Sequence, residues 1–306
     1  MESGNRTKVT EFVLLGFSGG PFVEMIIVIL ICAVYVTLLT ANGLLILAVS
    51  FDRRLHNSMY FFLLNLSLIN LCSPSVTIPK MLVNFGSGRY SISLAGCAAQ
   101  VFFYLILGES ECILLVFMAY DRFVAICNPL RYSTIMSRSA CVWMISATWT
   151  VSCVTSSVDI FVVFSMTFCN PNIINHFICE IPSLMQLSCS YNYVLNGLRV
   201  GGSTVLLLVP LVAILFSYIR ISYSVARIKS GRYKAFSTCF SHLMVVTLFY
   251  GTVMVPYMRP RHSAADNTDK VMSVFCTIIT PLLNPLIYSL RNKDVLRAMK
   301  QLGKLK

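Results

Sequence analysis

Charge is what this sequence has least of. Only 12% of its 306 residues are charged, about half the roughly 25% typical of soluble domains. A water-soluble globule of this size would expose more apolar surface than it tolerates. Acids are the scarcer kind, 12 Asp and Glu against 24 Lys and Arg, for a net charge of +12. No basic cluster sits in a soluble domain, so nucleic acid does not explain that balance. A phosphate loop and a catalytic triad are both missing, and the chain is read as not an enzyme. The last apolar stretch, 271–290, contains no lysine, which excludes a retinal-type attachment. The first 21 residues lack a basic segment, a short apolar core and a small-residue cleavage site, so the first apolar span is expected to act as an uncleaved signal anchor. Paired repeats with broken helices, the mark of a transporter, are absent as well.

Hydrophobicity is what the sequence has most of. It is 57% hydrophobic with 20 Phe and 14 Tyr, too aromatic for disorder, and about 20 apolar residues cross a bilayer. The uncharged stretches predict an all-α membrane protein, a seven-transmembrane helix bundle. Its helices fall at about 25–51, 57–82, 94–120, 139–159, 197–223, 235–258 and 268–290. The chain then divides into an extracellular amino terminus over 1–24, a bundle over 25–290 and a cytoplasmic amphipathic tail over 291–306. In that tail Val295, Leu296, Met299 and Leu302 alternate with basic residues at helical spacing, which predicts a helix lying flat on anionic lipid.

The positive-inside rule orients the bundle. With the amino terminus outside, the pieces 51–57, 120–139, 220–234 and 291–306 are cytoplasmic. They hold 16 of the 24 Lys and Arg and only 3 acids. Asn5 in Asn5-Arg6-Thr7 then matches a glycosylation acceptor on the outside. Of 12 cysteines, Cys97, Cys169, Cys179 and Cys189 fall outside. Four cysteines allow three pairings, and at least one bridge is expected to tie the long loop across the bundle's mouth. His176, Cys179 and Glu180 look like a metal-ligand cluster, but a Cys179 consumed by a disulfide cannot also be a thiolate ligand. No metal site is expected.

Two acids lie inside the third span. Glu111 reads either as a polar node or cation site, or as a protonated structural acid; Glu109, about 200° away around the helix, reads as a ligand contact or a structural acid. An ionised carboxylate at that depth costs a few kcal/mol, so the third span must be central. Asp121 and Arg122 mark its cytoplasmic end, as a snorkelling pair or as a switch. Pro281, Asn284 and Pro285 interrupt the seventh span, with Asn284 placed to satisfy the carbonyls that proline frees. His242 reads as a packed histidine.

These residues together resemble the odorant (olfactory) receptors of the rhodopsin-like, class A G-protein-coupled family. MAYDRFVAIC at 118–127, KAFSTCFSH at 234–242, PLLNPLIYSLRN at 281–292 and MYFFLLNLS at 59–67 are similar to that family's motifs in order. Asn42-Gly43, Trp149 and Ser217-Tyr218 fall in place between them, and the loop text from Asn172 to Cys189 resembles the tetrapod-type division. The resemblance implies disulfides Cys97–Cys179 and Cys169–Cys189. It implies a polar core of Asn42, Asn70 and Glu111, and coupling through Asp121, Arg122, Tyr218, Lys234, His242, Asn284, Pro285 and Tyr288. It further implies a volatile ligand, a stimulatory olfactory G protein that raises cyclic AMP, and a plasma membrane in sensory cilia, with no cofactor. Helical spacing and family placement together give a lining of Tyr104, Leu105, Gly108, Glu109, Gly202, Ser203, Leu206, Val253, Met254, Tyr257 and Thr277, between the third, fifth, sixth and seventh spans.

The sequence departs from the family at several points. Asn70 stands where Asp is common, which weakens a sodium site with Glu111. Asn57-Ser58 replaces the usual Thr-Pro, Phe123 a Tyr, and Cys276 a frequent Tyr. Glu109 is unusual between Gly108 and Ser110. With no Lys or Arg read at its depth, it points to amines or other hydrogen-bond donors as agonists. A peptide or amine receptor is the lesser alternative, since the third span lacks an Asp near Tyr104.

Overall fold

The computed structural model describes residues 9–17, 20–190, 192–227, 232–258, 267–291 and 293–302. Asn5 lies outside the described residues, as do the side chains of Lys234 and Tyr257. The helices are α1 (Gly20–Phe51), α2 (Ser58–Ser87), α3 (Leu94–Cys127), the short α4 (Tyr132–Ile135), α5 (Arg138–Phe164), the short α6 (Ile181–Gln186), α7 (Tyr193–Arg227), α8 (Arg232–Met258), α9 (Asn267–Val274), α10 (Thr280–Arg291) and α11 (Lys293–Leu302). A π-helical turn, Phe275–Ile279, joins α9 to α10 into one element. Among the described residues, six spans are long and apolar enough to cross a membrane, and α8 adds a shorter apolar run, Cys239–Met254.

The helices outrun the apolar stretches that announce them. Apolar runs mark hydrocarbon, whereas backbone hydrogen bonding continues to the next cap. Thus α2 reaches Ser87, where Gly88 at φ 64° turns the chain, a left-handed conformation that glycine adopts freely. Likewise α3 continues to Cys127, and α7 already begins at Tyr193. Side-chain caps start α2, α3 and α5: Asn57 accepts from Tyr60 N at 3.2 Å, Ser93 from Gly96 N at 3.1 Å and Ser137 from Ala140 N at 3.3 Å. A Cβ at Gly96 would lie 3.0 Å from Ser93 Oγ, so glycine keeps that cap tight.

Helix α3 is the axis of the bundle, packed against α2, α5, α7 and α8. Leu114, Leu115 and Ala119 on it are fully buried. On the rim the pattern inverts, with Trp143 73% exposed, Phe161 70% and Phe216 60%. A belt of large apolar side chains this open suits lipid and not water.

One end of the bundle carries a three-stranded sheet, which hydropathy does not announce. Strand β1 (Glu11–Leu14) pairs antiparallel with β2 (Ser91–Ser93), Phe12 opposite Ile92, and parallel with β3 (Ile173–Ile174), Val13 opposite Ile173. Phe12 and Leu14 are buried beneath it, and Phe12 meets Phe168 edge-on at 5.3 Å. The segment before the first span, read as a polar tail, is thus partly a strand of the lid. At the other end, Val295 and Ala298 of α11 are buried in the main core with Leu55, so part of the tail's apolar face turns to α1 and not to lipid.

Candidate functional site

The sheet end is closed by the loop between α5 and α7. Cys97, in the first turn of α3, is bonded to Cys179, and Cys169 to Cys189. Cys179 N donates to Gln100 Oε1 at 2.8 Å, a second tie of loop to α3. His176 is fully buried, stacked on Phe177 and accepting from Ile178 N through Nδ1. With Cys179 in a disulfide, its thiolate is unavailable, and among the described residues no group of His, Cys, Asp and Glu could hold a metal.

Below this lid the expected lining residues separate onto different faces of α3. Tyr104 packs with Phe177 and Ile278 and faces Cys276 and Thr277 of the seventh span. Leu105 packs against the cluster around Cys97 and Cys179. A Cβ at Gly108 would meet nothing within 4 Å. Glu109 turns the other way, accepting a hydrogen bond from Thr155 Oγ1 of α5. It therefore faces the fourth span, which the expected pocket did not include; five residues after Tyr104 on a helix is about 140° of rotation. Val253 and Met254 on α8 are half-buried, Thr277 is buried, and Gly202 is exposed with open space around its Cα.

Sequence reading missed the companions of Glu109. Asp159, the last residue of the expected fourth span, lies well within α5 and is buried. It faces Ser203 and lies within electrostatic reach of Arg199, both on α7. The expectation that no Arg lies near this depth is therefore corrected: α7 starts early enough to bring Arg199 alongside. The signal was present, since Ser152, Thr155, Ser156 and Asp159 follow a helical i, i+3, i+4, i+7 stripe.

One turn deeper, α3 is joined to two neighbours. Pro210 has no N–H, which frees the carbonyl four residues back, at Leu206. Cys112 Sγ takes it at 3.3 Å and lies 3.0 Å from Tyr250 Oη, so α3, α7 and α8 meet at one thiol. Pro285 likewise frees the carbonyl of Pro281, and Asn42 Nδ2 of α1 donates to it at 3.1 Å. Asn284, expected to perform this repair, instead donates to Asn70 Oδ1 and Glu111 Oε1, each at 3.2 Å. Asn70 Nδ2 in turn donates to Asn42 Oδ1 at 3.4 Å. Asn284 is thus the donor to Glu111, in a network where Asn stands at 70.

At the far end of α3, Asp121 is buried and accepts at Oδ1 from Ser58 Oγ (2.6 Å) and Tyr132 Oη (2.8 Å). Burial pushes the Tyr132 hydroxyl up to about 12, so it keeps its proton and remains a donor. Arg122 Nη2 stands 3.6 Å from Asp121 Oδ2. Tyr218 Oη and His242 Nδ1 share a 2.7 Å hydrogen bond across α7 and α8. With Tyr288 they lie within electrostatic reach of Arg122. Arg122 Nη2, His242 Nε2 and Tyr288 Oη are all buried without a hydrogen-bond partner. Such atoms are costly, and here they gather at one junction of α3, α7, α8 and α10.

Comparison with known proteins completes these observations. The olfactory receptor family model matches residues 31–304. The chain is 47% identical to "Olfactory receptor 13C2" of Homo sapiens, over 99% of this chain and 98% of that one. It is 46% identical to "Olfactory receptor-like protein OLF1" of Canis lupus familiaris, with the same shares covered. The crystal structure of squid rhodopsin superposes with a TM-score of 0.74 over 94% of this chain and 87% of that one, at 17% identity, a likeness of fold alone. With its membrane-crossing helices, the chain is a multi-pass plasma membrane protein and a signalling receptor rather than an enzyme: it belongs to the olfactory receptor family of G-protein-coupled receptors.

Proposed function

We propose that this receptor binds a small volatile odorant in the half of the bundle beneath the disulfide-tied lid and activates a stimulatory, olfactory-type G protein, raising cyclic AMP. The amino terminus is then outside, the carboxyl terminus in the cytoplasm, and the site of action the cilia of sensory neurons. The charge asymmetry of the loops supports this orientation.

The observation that carries the reading is the Arg122 junction: a strong base held by one 3.6 Å ion pair, surrounded by buried polar atoms lacking partners. On this reading the junction has two arrangements, the ion pair kept or the arginine released to a partner protein. Gly108 and Arg122 lie on the same helix, 14 residues and about 21 Å apart at 1.5 Å per residue. An odorant moves the equilibrium only by its differential affinity for the two states. The Cys112–Tyr250 contact, between ligand space and junction, is where a shift of α8 against α3 is first felt.

The test is a panel of volatile odorants applied to cells expressing the chain together with the olfactory stimulatory G protein. A concentration-dependent rise in cyclic AMP, absent from cells with the G protein alone, supports the reading. Silence across the panel from receptor shown at the surface counts against it.

A further inference from the structure

We propose that Glu109 and Asp159 form a two-carboxylate anchor for a protonated amine, which makes amines the ligand class of this receptor. The inference rests on the odorant-receptor reading above and names the chemistry of its ligand.

Glu109 comes from α3 and Asp159 from α5, and the two lie close enough to repel each other. Asp159 is 6% exposed. Thr155 donates to Glu109. Ser156 Oγ faces the Glu109 carboxylate, is completely buried and makes no hydrogen bond. Ser203 faces Asp159 from α7. Arg199, within electrostatic reach, stands short of ion-pair contact with Asp159, its Nε and Nη2 donating to Asn196 Oδ1 at 3.3 and 3.1 Å.

Two carboxylates and one guanidinium leave one negative charge uncompensated among apolar helices. Such a charge is costly unless a proton or a cation joins it. An ammonium group supplies that charge and up to three N–H donors, matched by the carboxylate oxygens and by Ser156 Oγ, which has no other partner. Only two metal-type ligands converge here, and among the described residues no cluster of three exists, so an organic cation is favoured over a metal ion. Next to Glu109 on α3, a Cβ at Gly108 would meet nothing within 4 Å, which leaves room for the apolar body of an amine.

The experiment uses the full receptor, purified into lipid nanodiscs, and matched probes: 2-phenylethylamine against 2-phenylethanol, and cyclohexylamine against cyclohexanol, within a panel of alkyl and aryl amines. Binding is read as the shift in melting temperature with probe concentration, and cyclic AMP is read in parallel in cells. The amines are expected to bind more tightly than their alcohols. Glu109→Gln, which keeps the volume and the acceptor for Thr155, should weaken amines about tenfold, a loss of one close charge pair, and alcohols little. Asp159→Asn should act in the same direction. Arg199→Gln should tighten amine binding, a gain that a merely structural arginine does not produce. Equal loss of amine and alcohol binding, or no amine binding to the folded receptor, overturns the anchor. Amine binding without cyclic AMP leaves the anchor standing and contradicts the coupling; cyclic AMP with neutral odorants alone does the reverse.

Discussion

Ser58 Oγ donates a 2.6 Å hydrogen bond to Asp121 Oδ1, fastening the first turn of α2 to the residue beside Arg122. Tyr132 Oη reaches the same oxygen at 2.8 Å and Ser58 Oγ at 2.6 Å, closing a triangle across α2, α3 and α4. Ser58 is one of the residues at which the sequence departs from its family's usual pattern, where proline would offer no hydroxyl. This receptor therefore holds its Asp121 with one donor more.

Removing that donor should loosen the resting state. A hydrogen bond to a charged group contributes about 1.5–3 kcal/mol, so Ser58→Ala should raise ligand-independent cyclic AMP about tenfold, relative to surface expression. Ser58→Pro, the family's usual residue, should do the same. Basal activity equal to wild type would show that Tyr132 alone holds Asp121.

Cys112 and Tyr250 make a prediction about transmission rather than binding. Tyr250→Phe removes the hydroxyl 3.0 Å from Cys112 Sγ and keeps the ring. Maximal cyclic AMP should fall several-fold while the odorant's effect on receptor melting temperature changes little. A parallel loss of binding would place Tyr250 in the ligand site instead.

The polar network around Glu111 should show its worth as stability. Asn284→Ala deletes donors to both Asn70 and Glu111, leaving a buried acid poorly satisfied, at a cost of about 1–3 kcal/mol. The purified variant should melt several degrees below wild type. An unchanged melting temperature would mean that another donor serves Glu111.

The lid is expected to matter before the ligand does. Cys97→Ser or Cys179→Ser unties the long loop from α3, and the receptor should be retained inside the cell. Peptide mapping without reduction should recover Cys97 joined to Cys179. A free Cys97 thiol in functional surface receptor would refute that pairing.

What the sequence made legible follows from the kind of signal each feature leaves. Spans show because twenty apolar residues are long, and the Asp121-Arg122 end shows because charge interrupts them. Strand β1 left a four-residue trace, Phe12 and Leu14 alternating with Glu11 and Val13, too short to stand out from a polar tail. Asp159 was read as the end of the fourth span because hydropathy fades there, whereas the helix runs on to Phe164. The partner of Glu109 was hidden for another reason: spacing fixes which residues share a face, not which neighbour that face meets. Likewise Asn284 stood beside the prolines in sequence, yet the freed Pro281 carbonyl is taken by Asn42, 239 residues away.

The central claim is that an odorant bound beneath the lid makes Arg122 available to a stimulatory G protein. The most direct measurement is nucleotide exchange on purified olfactory stimulatory G protein, driven by the purified receptor in nanodiscs with and without an odorant identified by the panel screen. Exchange should accelerate with odorant for the wild type and stay at the basal rate for Arg122→Ala, which still binds that odorant. Odorant-driven exchange that is undiminished in Arg122→Ala would contradict the claim.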